Sequence, residues 1–363
     1  MSHIQRRDGR WQARYRAPDG KERTKRFDRK VDAETWLANE RVRIARGEWT
    51  DPVRAKVTVG EWADDWLAAQ ADLTPKTRER YDGIIRRHIR PRWGRVPLAS
   101  VTHAEVQRWL TGLDLAPASV QKTHGVLSML LAYAVKDGRL ATNAAAGVSL
   151  PRVREAEKRF LTHQQVHELA EACGEEHRLV VLFLAYTGLR WGEMAALKVK
   201  RIDFLRRRVL VAESVTPVRG GMTWGETKGH ERREVPLPRF LIDDLSRQVA
   251  GRAPDDLVFT GLRGAVMRSG TFRRGALIKA ARTVGLPGFH PHELRHTAAS
   301  LAIASGADIK VVQQMLGHKS ATMTLDQYGH LFPDRLDVVA DAMEAARSSA
   351  LSEAPSAAIR ELR

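Results

Sequence analysis

Four residues near the end of this sequence could together handle a phosphate: His292, Arg295, His318 and Tyr328. His292 and Arg295 are three residues apart. On a helix whose buried stripe is Leu294, Ala298, Leu301 and Ala302, they project together from the opposite face. Gly306 ends that helix, and Asp308 can cap a second one carrying Ile309, Val312, Met315 and Leu316 inward until Gly317 stops it. His318 then lies just past a helix end. Tyr328 follows a short helical stretch, residues 323–327, and precedes Gly329, a position suited to a side chain presented from a mobile segment. Imidazole, guanidinium and phenol in one place suit phosphoryl transfer. A phosphodiester under displacement gathers negative charge on its non-bridging oxygens, which fixed cations stabilise. Arginine does this with a rigid fork of donors that stays protonated. A phenol with a pKa of about 10 needs such surroundings to become nucleophilic.

The order His292-x-x-Arg295, then Leu316-Gly317-His318, then Tyr328 resembles the C-terminal signature of the tyrosine recombinases, the phage integrase family. Upstream, Thr187-Gly188-Leu189-Arg190-Trp191-Gly192-Glu193 resembles the segment carrying that family's first catalytic arginine. Lys228, in Glu226-Thr227-Lys228-Gly229, falls where the family places a hairpin lysine. The resemblance spans about half the chain, residues 160–331, with no departure at a catalytic position.

It implies that Tyr328 attacks the scissile phosphate, giving a 3′-phosphotyrosine and a free 5′-hydroxyl, and that the bond energy is kept for resealing without ATP, metal or other cofactor. Arg190 and Arg295 would hold the phosphate, Lys228 protonate the leaving oxygen, His292 help move the tyrosine proton, and His318 hydrogen-bond the phosphate. Glu193, near Arg190, would orient that guanidinium. The implied partners are double-stranded DNA at attachment sites, a homo-tetramer in the synaptic complex, and an accessory directionality factor.

Singly, each residue has a plainer reading: packing for the tyrosine, surface charge for Lys228, a helix C-terminus neutralised by Arg190. Their joint order argues for the site. Two rivals remain in the same stretch. Residues 292–296 satisfy His-Glu-x-x-His, a helical zinc-hydrolase motif, yet Arg295 would set a permanent cation beside the metal. Residues 297–317 could pass for the helix-turn-helix of a non-catalytic regulator, which leaves Arg190, Lys228 and Tyr328 unexplained.

The elements that must position these groups begin with a basic front. The chain carries a formal charge of +17 with a pI near 10.4, which points to an acidic partner, nucleic acid first. Residues 1–30 hold eleven Lys/Arg against four acids. Residues 11–16 alternate, with Trp11, Ala13 and Tyr15 on one face and Gln12, Arg14 and Arg16 on the other; Pro18-Asp19-Gly20 turns, and residues 22–27 return. A helix follows over about 32–46. This resembles an arm-type DNA-binding domain, a small three-stranded β-sheet plus a helix over residues 1–50, with Arg14, Arg16 and Lys25 as candidate contacts.

Residues 47–57 read as a linker, and residues 57–146 as four helices, an all-α core-binding (SAM-like) domain. Its second helix turns Tyr81, Ile84, Ile85 and Ile89 inward and Arg78, Arg86, Arg87 and Arg90 outward, the last three being candidate phosphate contacts. Its fourth turns Val126, Met129, Leu130, Tyr133 and Ala134 to one side. After a second linker, residues 146–160, comes an α+β, mostly helical catalytic domain over 160–345. A three-stranded antiparallel sheet in 202–238 has Lys228 near a hairpin tip, and a tail fills 346–363. The segment after Tyr328 looks like an amphipathic helix able to dock on a neighbouring protomer. The longest apolar run, residues 179–186, is too short for the roughly 20 residues of a membrane span. No signal-peptide core opens the chain, and a single cysteine, Cys173, leaves no internal disulfide, so the expected location is the cytoplasm.

Overall fold

A computed structural model describes residues 2–46, 49–51, 54–154, 158–226, 232–332 and 336–352, and the chain divides into two units, residues 1–156 and 157–363. In the first, strands His3–Arg7, Arg10–Arg16 and Glu22–Phe27 form an antiparallel sheet in that order. Helix Lys30–Ala45 packs Leu37 and Trp36 against Tyr15 and Ile4. Tyr15 donates to Glu40 at 3.3 Å and accepts from the Trp49 indole at 2.8 Å, giving its buried hydroxyl two partners.

The strand alternation holds except at Gln12, which is buried and accepts from Gln5 of the neighbouring strand. Arg14, Arg16 and Arg26 share the uncovered face, because Gln12 lies opposite Arg26 and Arg14 opposite Thr24. Lys25 does not join them. It lies opposite Ala13 on the helix side, its ammonium 5.4 Å from the Phe27 ring and 5.9 Å from that of Trp36.

Helices Val59–Ala69, Pro75–Ile84, His103–Thr111 and Pro117–Lys136 enclose a core of Trp62, Trp66, Ile85, Ile89, Trp93, Leu127, Leu130 and Leu131. Thr58 and Glu61 form a capping box, each satisfying a free amide of the first turn. The second helix runs on through a wide turn, Ile85–Ile89, into Arg90–Trp93. Pro91 has no amide hydrogen for the ladder, and the Arg90 amide reaches back to Ile85 instead.

Arg86 and Arg87 are exposed, as expected. Arg78 is not outward. It donates to the carbonyls of Leu67 and Gln70 at 2.8 and 2.6 Å, satisfying the end of the preceding helix. Arg90 pairs with Asp64. In the fourth helix Leu127 and Leu131 replace Met129, which is 40% exposed. Gln107 and Gln121 bond the backbone of Ser149 and Pro151, so the helical unit extends past residue 146.

The second unit is built on helices His163–Ala172, Glu175–Thr187 and Pro291–Ala304. Two sheets form where one was expected. Ile202–Asp203, Arg208–Val211 and Arg233–Pro236 make a three-stranded sheet, whereas Glu213–Val218 and Gly221–Glu226 pair as a separate hairpin. The packing explains the split: Val209, Val211 and Val235 join the main core, while Val215 and Met222 pack on Ala195 and Ala196. Leu331 and Phe332 pack on the main core as well, and the final described helix, Leu336–Ser352, starts beyond them and carries Met343 and Leu351 exposed. The expected tail from residue 346 is therefore helical as far as Ser352. Among the described residues no helix is long and apolar enough to cross a membrane.

Candidate active site

Helix Glu175–Thr187 ends at Gly188, whose backbone is left-handed at φ +66°. A Cβ there would stand 2.9 Å from Leu316 and 3.2 Å from Ala298, so glycine lets this turn touch both helix Pro291–Ala304 and helix Ile309–Leu316. Arg295 ties the contact together. Its Nη1 donates to the Gly188 carbonyl and its Nη2 to that of Leu316, each at 2.6 Å, and the residue is 3% exposed. Burial and the nearby Arg190 push its guanidinium down to about 9, still a cation at neutral pH.

Arg295 thus departs from the expected exposed face shared with His292. Helix Pro291–Ala304 is buried on most sides, because it packs between helices Glu175–Thr187 and Ile309–Leu316. His292 alone of that pair stays exposed. It lines an open pocket with Leu189, Trp191, Ser269, Arg273 and His290. Lost solvation, then the charges of Arg295, His290 and Arg190, lower its imidazole pKa.

Arg190 sits at the start of the short helix Trp191–Ala195. Glu193 accepts from its backbone amide and from its Nη1, both at 2.9 Å. A second cation, which the sequence does not point to, sits on this carboxylate: Arg233 donates Nη1 to Oε1 at 3.1 Å and Nη2 to Oε2 at 2.7 Å. Burial alone would raise the Glu193 carboxyl. The hydrogen bond and charge of Arg233, with the charge of Arg190, prevail and hold it below the usual range. No helix or strand period singles out Arg233.

Tyr328 closes helix Ala321–Tyr328 and is fully buried, not presented outward. Its hydroxyl hydrogen-bonds His296 Nδ1 at 2.8 Å. In the sequence His296 stands out only by its zinc-like spacing from His292; one turn further along the helix, it reaches the phenol that the neighbouring imidazole does not. The ring of His318 lies parallel to that of Tyr328, centroids 6.4 Å apart, and its Nδ1 bonds Thr324. His318 follows Gly317, the left-handed cap of helix Ile309–Leu316, as the sequence predicts.

Burial first, then neighbouring cationic groups, bring His296 and His318 down to about 4, so both are neutral at pH 7. Burial pushes Tyr328 up to about 12 against the pull of Arg295. Glu293, the would-be base of the zinc motif, instead bonds the His290 amide at 2.7 Å and is gripped by Arg159 at 2.9 and 3.2 Å. Lys228 lies outside the described residues. Arg190, Arg295, His318 and Tyr328 are brought together from distant stretches, with His292 at the rim.

Three family models match the chain: the phage integrase family over residues 159–335, the phage integrase N-terminal domain over residues 4–46, and the phage integrase N-terminal SAM-like domain over residues 58–113. The chain is 29% identical to the integrase of Mycobacterium phage D29, over 88% of this chain and 90% of that protein. It is similar in fold to the Tn1549 transposon integrase in complex with transposon right end DNA, with TM-score 0.66, 22% identity, and 80% and 99% of the two chains covered. It also resembles the lambda integrase tetramer bound to a Holliday junction, with TM-score 0.59, 24% identity, and 88% and 96% covered.

Proposed function

The chain belongs to the phage integrase family of tyrosine recombinases and is a site-specific DNA recombinase; from that premise we propose that it is the integrase of a phage or other mobile element. The observation that carries this reading is one buried phenol, Tyr328, with the charge of Arg295 and the parallel ring of His318 beside it and Arg190 within electrostatic reach of both. In the proposed reaction Tyr328 Oη attacks phosphorus, the bond to the 5′-oxygen breaks, the phenol loses its proton and the 5′-oxygen gains one. Arg190 and Arg295 stabilise the charge on the non-bridging oxygens, and His318 adds a hydrogen bond. Lys228 is the proposed donor to the 5′-oxygen, and a neutral imidazole, His292 or the bonded His296, receives the phenol proton. Because Tyr328 is sealed, helix Ala321–Tyr328 has to move outward for attack on a duplex.

The partner we propose is double-stranded DNA, held by a tetramer of this chain as it acts in the cytoplasm. The DNA-bound Tn1549 integrase and the lambda integrase tetramer support that reading by fold. The sheet of strands His3–Arg7, Arg10–Arg16 and Glu22–Phe27 presents Arg14, Arg16 and Arg26 to an arm site, and exposed Arg86 and Arg87 contact backbone phosphates of the duplex. Removing residues 2–50 should then abolish integration between full-length sites while short core duplexes are still cut; full-length integration surviving the deletion would refute the arm role.

The test of the whole reading is covalent trapping on nicked duplexes carrying candidate attachment sites, with EDTA present. A 3′-linked protein–DNA adduct is the expected product. Tight binding to such a site with no adduct would instead mark a DNA-binding regulator.

A further inference from the structure

Arg233 lies in the first position of strand Arg233–Pro236, with a side chain only 10% exposed, and the resemblance assigns it nothing. Its three nitrogens are all engaged. Two form a fork on Glu193, and Nε donates to the Met315 carbonyl at 3.0 Å, three residues before His318. The turn lies directly on the guanidinium: a Cβ on Gly317 would stand 3.0–3.1 Å from Arg233 Cδ, Cζ and Nε. Resting on the recombinase reading above, we propose that Arg233 is a positioning residue for strand cleavage, occupying the Glu193 carboxylate so that the charge of Arg190 stays available to the DNA phosphate.

The argument is one of charge and geometry. Glu193 is 2% exposed and ionised, so it takes whatever cation is within reach. With Arg233 forked across both oxygens, Arg190 gives the carboxylate a single side-chain nitrogen and keeps the rest of its fork, on a side chain still 29% exposed. Two cations and one anion leave a net positive charge. Without Arg233, Arg190 and Glu193 cancel, and the phosphate meets a neutralised guanidinium. The Nε contact adds a second effect, fixing the turn that carries His318.

The role predicts non-additivity with Glu193. Arg233→Met should slow single-turnover cleavage of nicked duplexes by about 10²-fold or more, the scale of losing one fixed charge-stabilising group. In a Glu193→Gln background the same change should cost less than about fivefold, since no carboxylate remains to occupy. A cleavage rate for Arg233→Met near wild type overturns the proposal, and so does an equal loss in both backgrounds, which would mark Arg233 as merely structural. If Arg233→Met does not fold, judged by its melting curve, Glu193→Gln/Arg233→Met against Glu193→Gln carries the decision, and a further loss of about tenfold or more is the overturning result.

Calorimetric titration with inorganic vanadate separates this proposal from the recombinase reading. Wild type binding the oxyanion, with weaker binding in Arg233→Met that Glu193→Gln restores, upholds the charge role even if no duplex is cleaved. Undiminished vanadate binding in Arg233→Met, or none in wild type, overturns it.

Discussion

Tyr328→Phe is expected to give a folded protein that binds its DNA sites and forms no covalent adduct with them. The ring keeps its place, edge-on to Phe160 and parallel to His318, because those contacts do not use the hydroxyl. What disappears is one hydrogen bond to His296, worth about 1 kcal/mol, so the melting temperature should fall by only a few degrees. Cleavage should fall by at least ~10⁴-fold, since the attacking oxygen itself is gone. The measurement is adduct formation on nicked duplexes beside a binding titration on the same DNA. Adduct persisting in Tyr328→Phe would transfer the nucleophile to another residue and remove the basis of the proposed chemistry.

Arg295→Ala should damage both folding and chemistry. Two buried carbonyls, of Gly188 and Leu316, lose their donor at once, at roughly 1–3 kcal/mol each. A Tm loss of roughly 5–20 °C follows for a unit of this size. Arg295→Lys separates the two effects. An ammonium cannot span both carbonyls as the planar fork does, so stability should be intermediate and cleavage at neutral pH lower by about 10²–10³-fold.

The pH dependence carries the sign. The burial and nearby charge that push the guanidinium down to about 9 act on a lysine that starts from a lower value, so the lysine variant is uncharged at higher pH. Its cleavage should therefore rise as the pH is lowered, over a range where wild type is flat. A lysine variant with wild-type rates and no such rise would mean that neither the fork nor the buried charge is required.

Much of the site was legible because its residues announce themselves by local rules. Gly188 and Gly317 follow apolar helices and stop them in the left-handed conformation, which places Arg190 and His318 just beyond helix ends. Thr58 with Glu61, and Thr162 with Gln165, mark helix starts by the capping box. Such signals depend on atoms a few residues apart, so the chain carries them wherever it folds. Lys25 follows the strand's own local rule, since adjacent strand residues face opposite ways and it therefore lies on the face opposite Arg26.

The remaining readings depended on what lies across the core. The helical period allowed Arg295 to face solvent beside His292; only packing against two other helices buries it and gives it carbonyl partners on distant turns. The same packing decided that His296, not His292, bonds the Tyr328 hydroxyl. Arg233 meets Glu193 from 40 residues away, a partnership that no spacing rule encodes. By itself the sequence determined the family, the order of elements and which chemical groups are present. The tertiary structure decided which are buried, which are paired and which cation answers which carboxylate, because burial and charge pairing arise between segments that are neighbours only after the chain has folded.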